Sequence, residues 1–252
     1  MGTSKGILIE SGEINERNYR KLDQRLNKNK RNFSLAALLF VVFLLYTEAV
    51  CMLDVQPIGV DGSEVGLATI NRKAWQLFGC PHEGWYTLTQ VLGLLAIMVA
   101  AGFAMLGLVQ LLKRKWFTKV DIDIYILGAF YLVVIFLYFL FTKVDVNLRP
   151  MLIDGELEQS YPSSHTMLVI CVMSTAMMQA KNRIFNPKTR KAVYASATII
   201  IILMIVGRMI CGAHWFTDII GSIIISSSLV MFYYAAVKFA ESKKQKTGKH
   251  SK

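Results

Sequence analysis

Charged side chains are scarce in this sequence: Asp, Glu, Lys and Arg supply 18% of 252 residues, while apolar residues supply 54% and the mean hydropathy is +0.43. So little charge excludes an ordinary soluble domain and points to a membrane protein. Cysteine is equally sparse. The four present, Cys51, Cys80, Cys171 and Cys211, form neither a CxxC pair nor a zinc-ligand spacing, which excludes a cysteine-based metal site. Internal repeats are missing, and the one low-complexity tract is the lysine-rich end from Lys243 to Lys252, which lacks an apolar face and reads as disordered. No small-residue cleavage pattern follows the first apolar run, and about thirty polar residues precede it, so it reads as a retained span and not as a signal peptide.

What is there is a series of uncharged apolar runs: Phe33–Leu53 (interrupted by Glu48), Trp85–Leu112, Ile124–Thr142, Thr166–Ala180, Ala192–Gly207 and Ile219–Val237. These six leave no room for a soluble domain and predict an all-α integral membrane bundle of six transmembrane helices over 33–237. A polar amino-terminal segment, 1–32, precedes the bundle, and a basic tail, 238–252, follows it. In the first segment Glu13, Glu16, Arg17, Arg20, Lys21 and Arg25 allow some helical pairing. The connection at 54–84 is long and rich in turn signals, among them Pro57, Gly59, Gly62, Gly66, Gly79 and Pro81, which suits either a lid or a passive cover.

The net charge of +11 is explained by its placement. Of 28 Lys and Arg residues, eight lie in 1–32, four in 113–123, five in 181–191 and six in 238–252, leaving Arg72, Lys73, Lys143, Arg149 and Arg208. The crowded segments are alternate connections plus both termini, so the positive-inside rule puts both termini in the cytoplasm. The basic balance therefore reports topology, and no nucleic-acid partner is expected. Cys51 and Cys80 then flank an outer loop, either as a disulfide or as two thiols.

With this orientation Lys143, Arg149, His165, Arg208 and His214 fall on one side, beside the ends of the third, fourth, fifth and sixth runs. The fifth run holds 16 residues between Lys191 and Arg208, about 24 Å of helix against a hydrocarbon core of about 30 Å. Arg208 is thus expected at or just below the outer interface, where an ionisable group needs a wet cavity or a partner. Glu48 in the first run is a candidate by the same reasoning, with interfacial hydrogen bonding as its simpler role.

His214 and Asp218, four residues apart at the start of the last run, share a helical face. The carboxylate can hold the imidazole Nδ1 proton and leave Nε2 free to act as nucleophile or base. In Tyr161-Pro162-Ser163-Ser164-His165 the two serines sit where N-caps belong, and free backbone N–H groups there can cradle an anion while His165 protonates a leaving oxygen. Lys143, Arg149 and Arg208 add three cations, and guanidinium forks suit phosphate oxygens.

The order KxxxxxRP (Lys143 to Pro150), PSSH (Pro162 to His165) and RxxxxxHxxxD (Arg208 to Asp218) resembles the three-part signature of the type 2 phosphatidic acid phosphatase family. These are lipid phosphate phosphatases that share a core with vanadium haloperoxidases. The resemblance implies His214 as the nucleophile that forms a phosphohistidine, Asp218 as its orienting acid and His165 as the proton donor. It also implies phosphate binding by Lys143, Arg149, Arg208 and the serines, a lipid phosphate or pyrophosphate as substrate, and no metal or other cofactor. There are three departures from the family pattern. The first motif has five residues where six are usual between lysine and arginine. Ser164 stands at the glycine of the usual PSGH, which moves the phosphate-binding hydroxyl to Ser163 and leaves Ser164 as a backbone donor. Gly207 replaces the serine that usually precedes Arg208.

The expectation is therefore a metal-independent phosphatase in the plasma membrane with its site outside and membrane lipids around it. A phosphotransferase using the same residues stays open, as do the lipid tail and the oligomeric state. A transporter or channel would need charge at mid-span, which these runs lack apart from Glu48. A lipid-phosphate binder without catalysis would not need both histidines.

Overall fold

The structure is a computed structural model that describes residues 3–78, 82–116 and 119–247, with side chains described at Gln24 and over 27–78, 82–116 and 119–243. Seven α-helices account for most of it: α1 (Thr3–Met52), α2 (Ala68–Phe78), α3 (Glu83–Arg114), α4 (Ile122–Phe141), α5 (Ser164–Arg183), α6 (Pro187–Ile210) and α7 (Phe216–Thr247). The predicted apolar runs lie in α1, α3, α4, α5, α6 and α7. Among the described residues five helices are long and apolar enough to cross a membrane: Asn27–Met52, Glu83–Arg114, Ile122–Phe141, Pro187–Ile210 and Phe216–Lys243.

The sixth, α5, has a span's length but a different surrounding. Its buried positions are nearly consecutive, Thr166, Met167, Val169, Ile170, Cys171, Val172 and Met173 among them, because α3, α4, α6 and α7 enclose it. A helix that faces protein all round can carry polar groups that a lipid-facing helix cannot. Thr175 accordingly returns its hydroxyl to the carbonyls of Cys171 and Val172 and meets Tyr131, and Gln179 donates to Tyr233. The lipid-facing surface is elsewhere, at exposed Leu44, Leu45, Leu94, Leu132 and Phe136.

Helix association in lipid depends on close packing, since lipid tails are as apolar as leucine. Gly207 in α6 shows this: a Cβ there would lie 2.6 Å from Thr89 Cγ2 and 3.2 Å from Trp85 Cε3 of α3. A serine in place of this glycine would force Thr89 to shift. α1 and α7 pack antiparallel, with Phe33 edge-on to Phe239 at one end and Tyr46 Oη donating to the Thr217 carbonyl at the other, 3.2 Å away. α6 begins at a capped turn in which Asn186 Oδ1 accepts from Lys188 N at 2.9 Å ahead of Pro187 at the first helical position.

Three expectations change. The segment 1–32 is not separate, because one helix runs unbroken from Thr3 through the first span to Met52. The basic tail 238–252 is helical to Thr247 as the continuation of α7, with Asn29 of α1 packed against it. The outer loop 54–84 contains α2, whose Asn71 is buried against α7. The loop is thus a brace built into the bundle. Cys80, Gly79 and Pro81 lie outside the described residues, and with them the Cys51–Cys80 pairing. Glu48 is exposed on α1 near its carboxy-terminal end.

Candidate active site

The ends of α3, α4 and α5 and the α4–α5 connection surround a cavity of about 550 Å³, with Arg149, Ser164, His165 and His214 in its wall. The connection folds back on itself through antiparallel bridges at Leu148 with Gln159 and Ile153 with Glu156, which carries Arg149 and Ser160 over the start of α7.

His214 precedes α7 and is buried, 4% exposed. Its Nδ1 lies 3.0 Å from the Ser160 carbonyl oxygen and 3.1 Å from Ser160 Oγ. A carbonyl can only accept, so Nδ1 carries the proton and Nε2 keeps its lone pair. Nε2 faces the Arg149 guanidinium, whose Nη1 lies 3.4 Å away and can only donate. Burial first, then the positive charges of Arg149 and Arg208, holds the His214 pKa well below its ordinary value, so the ring is neutral.

Asp218 does not reach that proton directly: His214 Nδ1 and Asp218 Oδ2 are 3.9 Å apart, beyond hydrogen-bond range. Ser160 stands between them and donates its hydroxyl to Asp218 Oδ2. The carboxylate also accepts from Trp215 N at 2.8 Å and from Asn147 Nδ2 at 3.1 Å. Asn147 in turn takes Gly66 N on its Oδ1, and Asn71 of α2 bonds both Thr217 N and Thr217 Oγ1. The outer loop and α2 therefore fix the turn that orients Asp218. The i,i+4 spacing correctly brought histidine and aspartate together; Ser160 and Asn147 went unnoticed because no spacing rule links residues so far apart in the chain.

His165 is the second residue of α5 and looks into the same cavity. Its ring meets Tyr138 edge-on at 6.0 Å and lies over Gly93 of α3, where a Cβ would come within 3.0 Å of His165 Cδ2. Arg149 is held by the Ala213 carbonyl at 3.2 Å and pairs with Glu158 at 3.1 Å, keeping its guanidinium at the mouth of the cavity. Arg208 is buried directly behind the wall, its Nη2 donating to Gln90 Oε1 at 3.2 Å and its guanidinium 5.4 Å from the centre of the Tyr86 ring. Its Nε has no hydrogen-bond partner among the described residues. A guanidinium left so short of acceptors suits an anion entering past Tyr86 and Gln90.

Two predicted phosphate ligands sit differently from expectation. Ser163 is fully buried, and its hydroxyl is 2.9 Å from Thr166 Oγ1 on the side away from the cavity. Ser164 lines the cavity instead. An N-cap residue precedes the first helical turn, so consecutive side chains there diverge, and only the second of the pair faces the opening. Lys143 is exposed one residue beyond the end of the wall at Thr142, outside the cavity lining; the shorter first motif leaves it on the outer surface.

The segment that holds Arg149, His165, Arg208, His214 and Asp218 is matched by a family model. The PAP2 superfamily matches residues 141–242. Phosphatidylglycerophosphatase B of Bacillus subtilis (strain 168) is 35% identical over 75 residues, which is 29% of this chain and 36% of that protein. The match thus spans about a third of the relative's length. In three dimensions the fold resembles that of the first transmembrane PAP2 type phosphatidylglycerolphosphate phosphatase from Bacillus subtilis, with a TM-score of 0.53 and 20% identity over 82% of this chain and 96% of the other. Residues 141–242, which bring His165, His214 and Asp218 together inside a bundle of membrane helices, are thus the part of the chain that is similar to the PAP2 superfamily.

Proposed function

We propose that this protein removes the terminal phosphate from a lipid phosphate or lipid pyrophosphate through a phosphohistidine on His214. The observation that carries the reading is the state of that ring: Nδ1 is held by Ser160 and the lone pair of Nε2 faces an arginine inside a cavity shared with His165. A phosphate that takes the place of Nε2 on Arg149 would present its phosphorus to the nitrogen.

In the first displacement Nε2 attacks phosphorus and the P–O bond to the lipid breaks. The leaving oxygen takes a proton from His165, giving the lipid alcohol, or the lipid monophosphate from a pyrophosphate. In the second, water attacks phosphorus in line and gives a proton to His165, the N–P bond breaks, and neutral His214 returns with release of inorganic phosphate. Arg149 and Arg208, with Ser164 and the backbone N–H groups at the start of α5, meet the charge on the equatorial oxygens. Ser160 and Asp218 keep the ring in its tautomer. In this scheme guanidinium groups do the work that a metal would otherwise do.

The site belongs at the outer face of the plasma membrane with both termini in the cytoplasm, a placement supported by the lysines and arginines crowded on the opposite connections. The position of the cavity at the ends of α3, α4 and α5 supports access for a lipid head group. The similarity to phosphatidylglycerophosphatase B favours phosphatidylglycerol phosphate as the first substrate to try. The test is phosphate release by purified protein from that lipid, phosphatidic acid and a polyprenyl pyrophosphate, with EDTA present and with vanadate as inhibitor. His214→Ala is expected to abolish release from every member of the panel. Release by that variant at the wild-type rate refutes the assignment.

A further inference from the structure

A second cavity, about 320 Å³, lies between α1 and α7 far from His214. From Asp218 to Lys238 in its wall, α7 runs about 30 Å, so this cavity opens at the head-group level of the leaflet opposite the catalytic pocket. Asn29 and Asn32 of α1 line it, and both are buried. Asn29 is occupied: its Nδ2 donates to Ser242 Oγ at 3.2 Å and to the Lys238 carbonyl at 3.4 Å, which fixes the register of the two helices. Asn32 is only 9% exposed, and its amide makes no hydrogen bond among the described residues. That amide opens into the cavity, where a ligand oxygen can bond it.

The charges around it are Lys28, Lys238 and Glu241, a formal sum of +1 from two lysines and one glutamate. Lys238 is bound to Glu241 at 2.7 Å, which leaves Lys28 as the cation available to a ligand. A smaller adjoining cavity shares Lys238 and Glu241 and is lined also by Lys181 and by Gln179, whose buried Oε1 accepts no hydrogen bond among the described residues. An available cation and an open amide donor call for a singly charged group rich in acceptor oxygens. A carboxylate and an open carbonyl beside them call for hydroxyl donors.

We infer that the α1–α7 groove binds the head group of an anionic phospholipid, with the phosphodiester on Lys28 and Asn32 and head-group hydroxyls toward Glu241 and Gln179. The site is separate from the phosphatase reading and does not depend on it. Since α7 is the helix that α1 packs against, a lipid wedged between them stabilises the docking of α1.

The test uses the full chain, stripped of lipid in a neutral detergent, and follows thermal unfolding. Phosphatidylglycerol at about 100-fold its Kd is expected to raise Tm by roughly 5 °C, whereas phosphatidylethanolamine, glycerol 3-phosphate and inorganic phosphate do not. The rise disappears in Lys28→Gln/Asn32→Leu and persists in Arg149→Ala, which disarms the catalytic pocket. Lys28 is exposed, so Lys28→Gln alone leaves the packing intact and is expected to weaken the response. An undiminished rise in the double variant overturns the inference, and so does its loss in Arg149→Ala, which would place the lipid in the catalytic pocket. Equal rises with the soluble phosphates or with phosphatidylethanolamine overturn it as well, the first by indicating a free-anion site and the second by removing the preference for an anionic lipid.

Discussion

Replacing Ser160 with alanine removes the one hydroxyl that links His214 to Asp218 among the described residues, and its cost can be worked from the contacts. The variant keeps the Ser160 carbonyl 3.0 Å from His214 Nδ1, so the imidazole tautomer survives. It loses the 3.1 Å contact from Oγ and the hydrogen bond from Oγ to Asp218, whose carboxylate retains Trp215 N and Asn147 Nδ2. A hydrogen bond to a charged group contributes about 1.5–3 kcal/mol. If that stabilises the imidazolium-like charge that develops on His214 as the N–P bond forms, kcat falls by roughly 10- to 100-fold while KM changes little. Asp218→Asn acts on the same bond, so Ser160→Ala/Asp218→Asn should be scarcely slower than the worse single variant. Pre-steady-state phosphate release from a lipid phosphate measures all three. A Ser160→Ala rate within twofold of wild type, or losses that multiply in the double variant, refutes the relay.

His165→Ala should lower the rate on lipid phosphates by about 10² to 10⁴, and by far less on an aryl phosphate whose leaving group needs no proton; paired steady-state assays on the two substrates decide it. Gly93→Ala places a Cβ 3.0 Å from His165 Cδ2, and the displaced ring should cost about tenfold in kcat, read by the same assays. Glu158→Gln frees Arg149 from a half-exposed ion pair and should lower KM or the vanadate inhibition constant by roughly two- to fivefold. Because burial and then Arg149 depress the His214 pKa, its neutral form persists as pH falls through the ordinary histidine range near about 6.5. Acylation of His214 by diethylpyrocarbonate, quantified by peptide mass spectrometry, should therefore hold steady as pH falls through the ordinary histidine range, and Arg149→Ala should shift the decline to higher pH.

The membrane helices were legible because lipid leaves little choice of residue: a face in contact with acyl chains must be apolar, and long uncharged runs announce it. α5 followed a different rule, since its neighbours are helices, and its threonines and glutamine find partners there. α2 was hidden among turn signals and is too short to show a long period, and its burial depends on Asn71 meeting Thr217, a contact between distant parts of the chain. In the site, His165, His214, Asp218 and Arg149 were readable from chemistry plus spacing. Ser160 was not, although it stands five residues before His165, because a serine in a connecting loop has no pattern to mark it. The exchange of roles between Ser163 and Ser164 turns on which of two adjacent side chains faces the cavity, a matter of dihedral angles at the helix start. Lys143 carried the right charge in the right motif, yet one residue fewer before Arg149 goes with a position outside the cavity.

The central claim is that phosphorus passes through the Nε2 of His214. Brief mixing with a lipid phosphate labelled in its terminal phosphate, followed by alkaline quenching and peptide mapping, tests it most directly. The account predicts an acid-labile, alkali-stable phosphoryl group on the peptide containing His214, absent from His214→Ala. Turnover of the lipid with no labelled enzyme on any time scale, or a label at another residue that persists in His214→Ala, would contradict it.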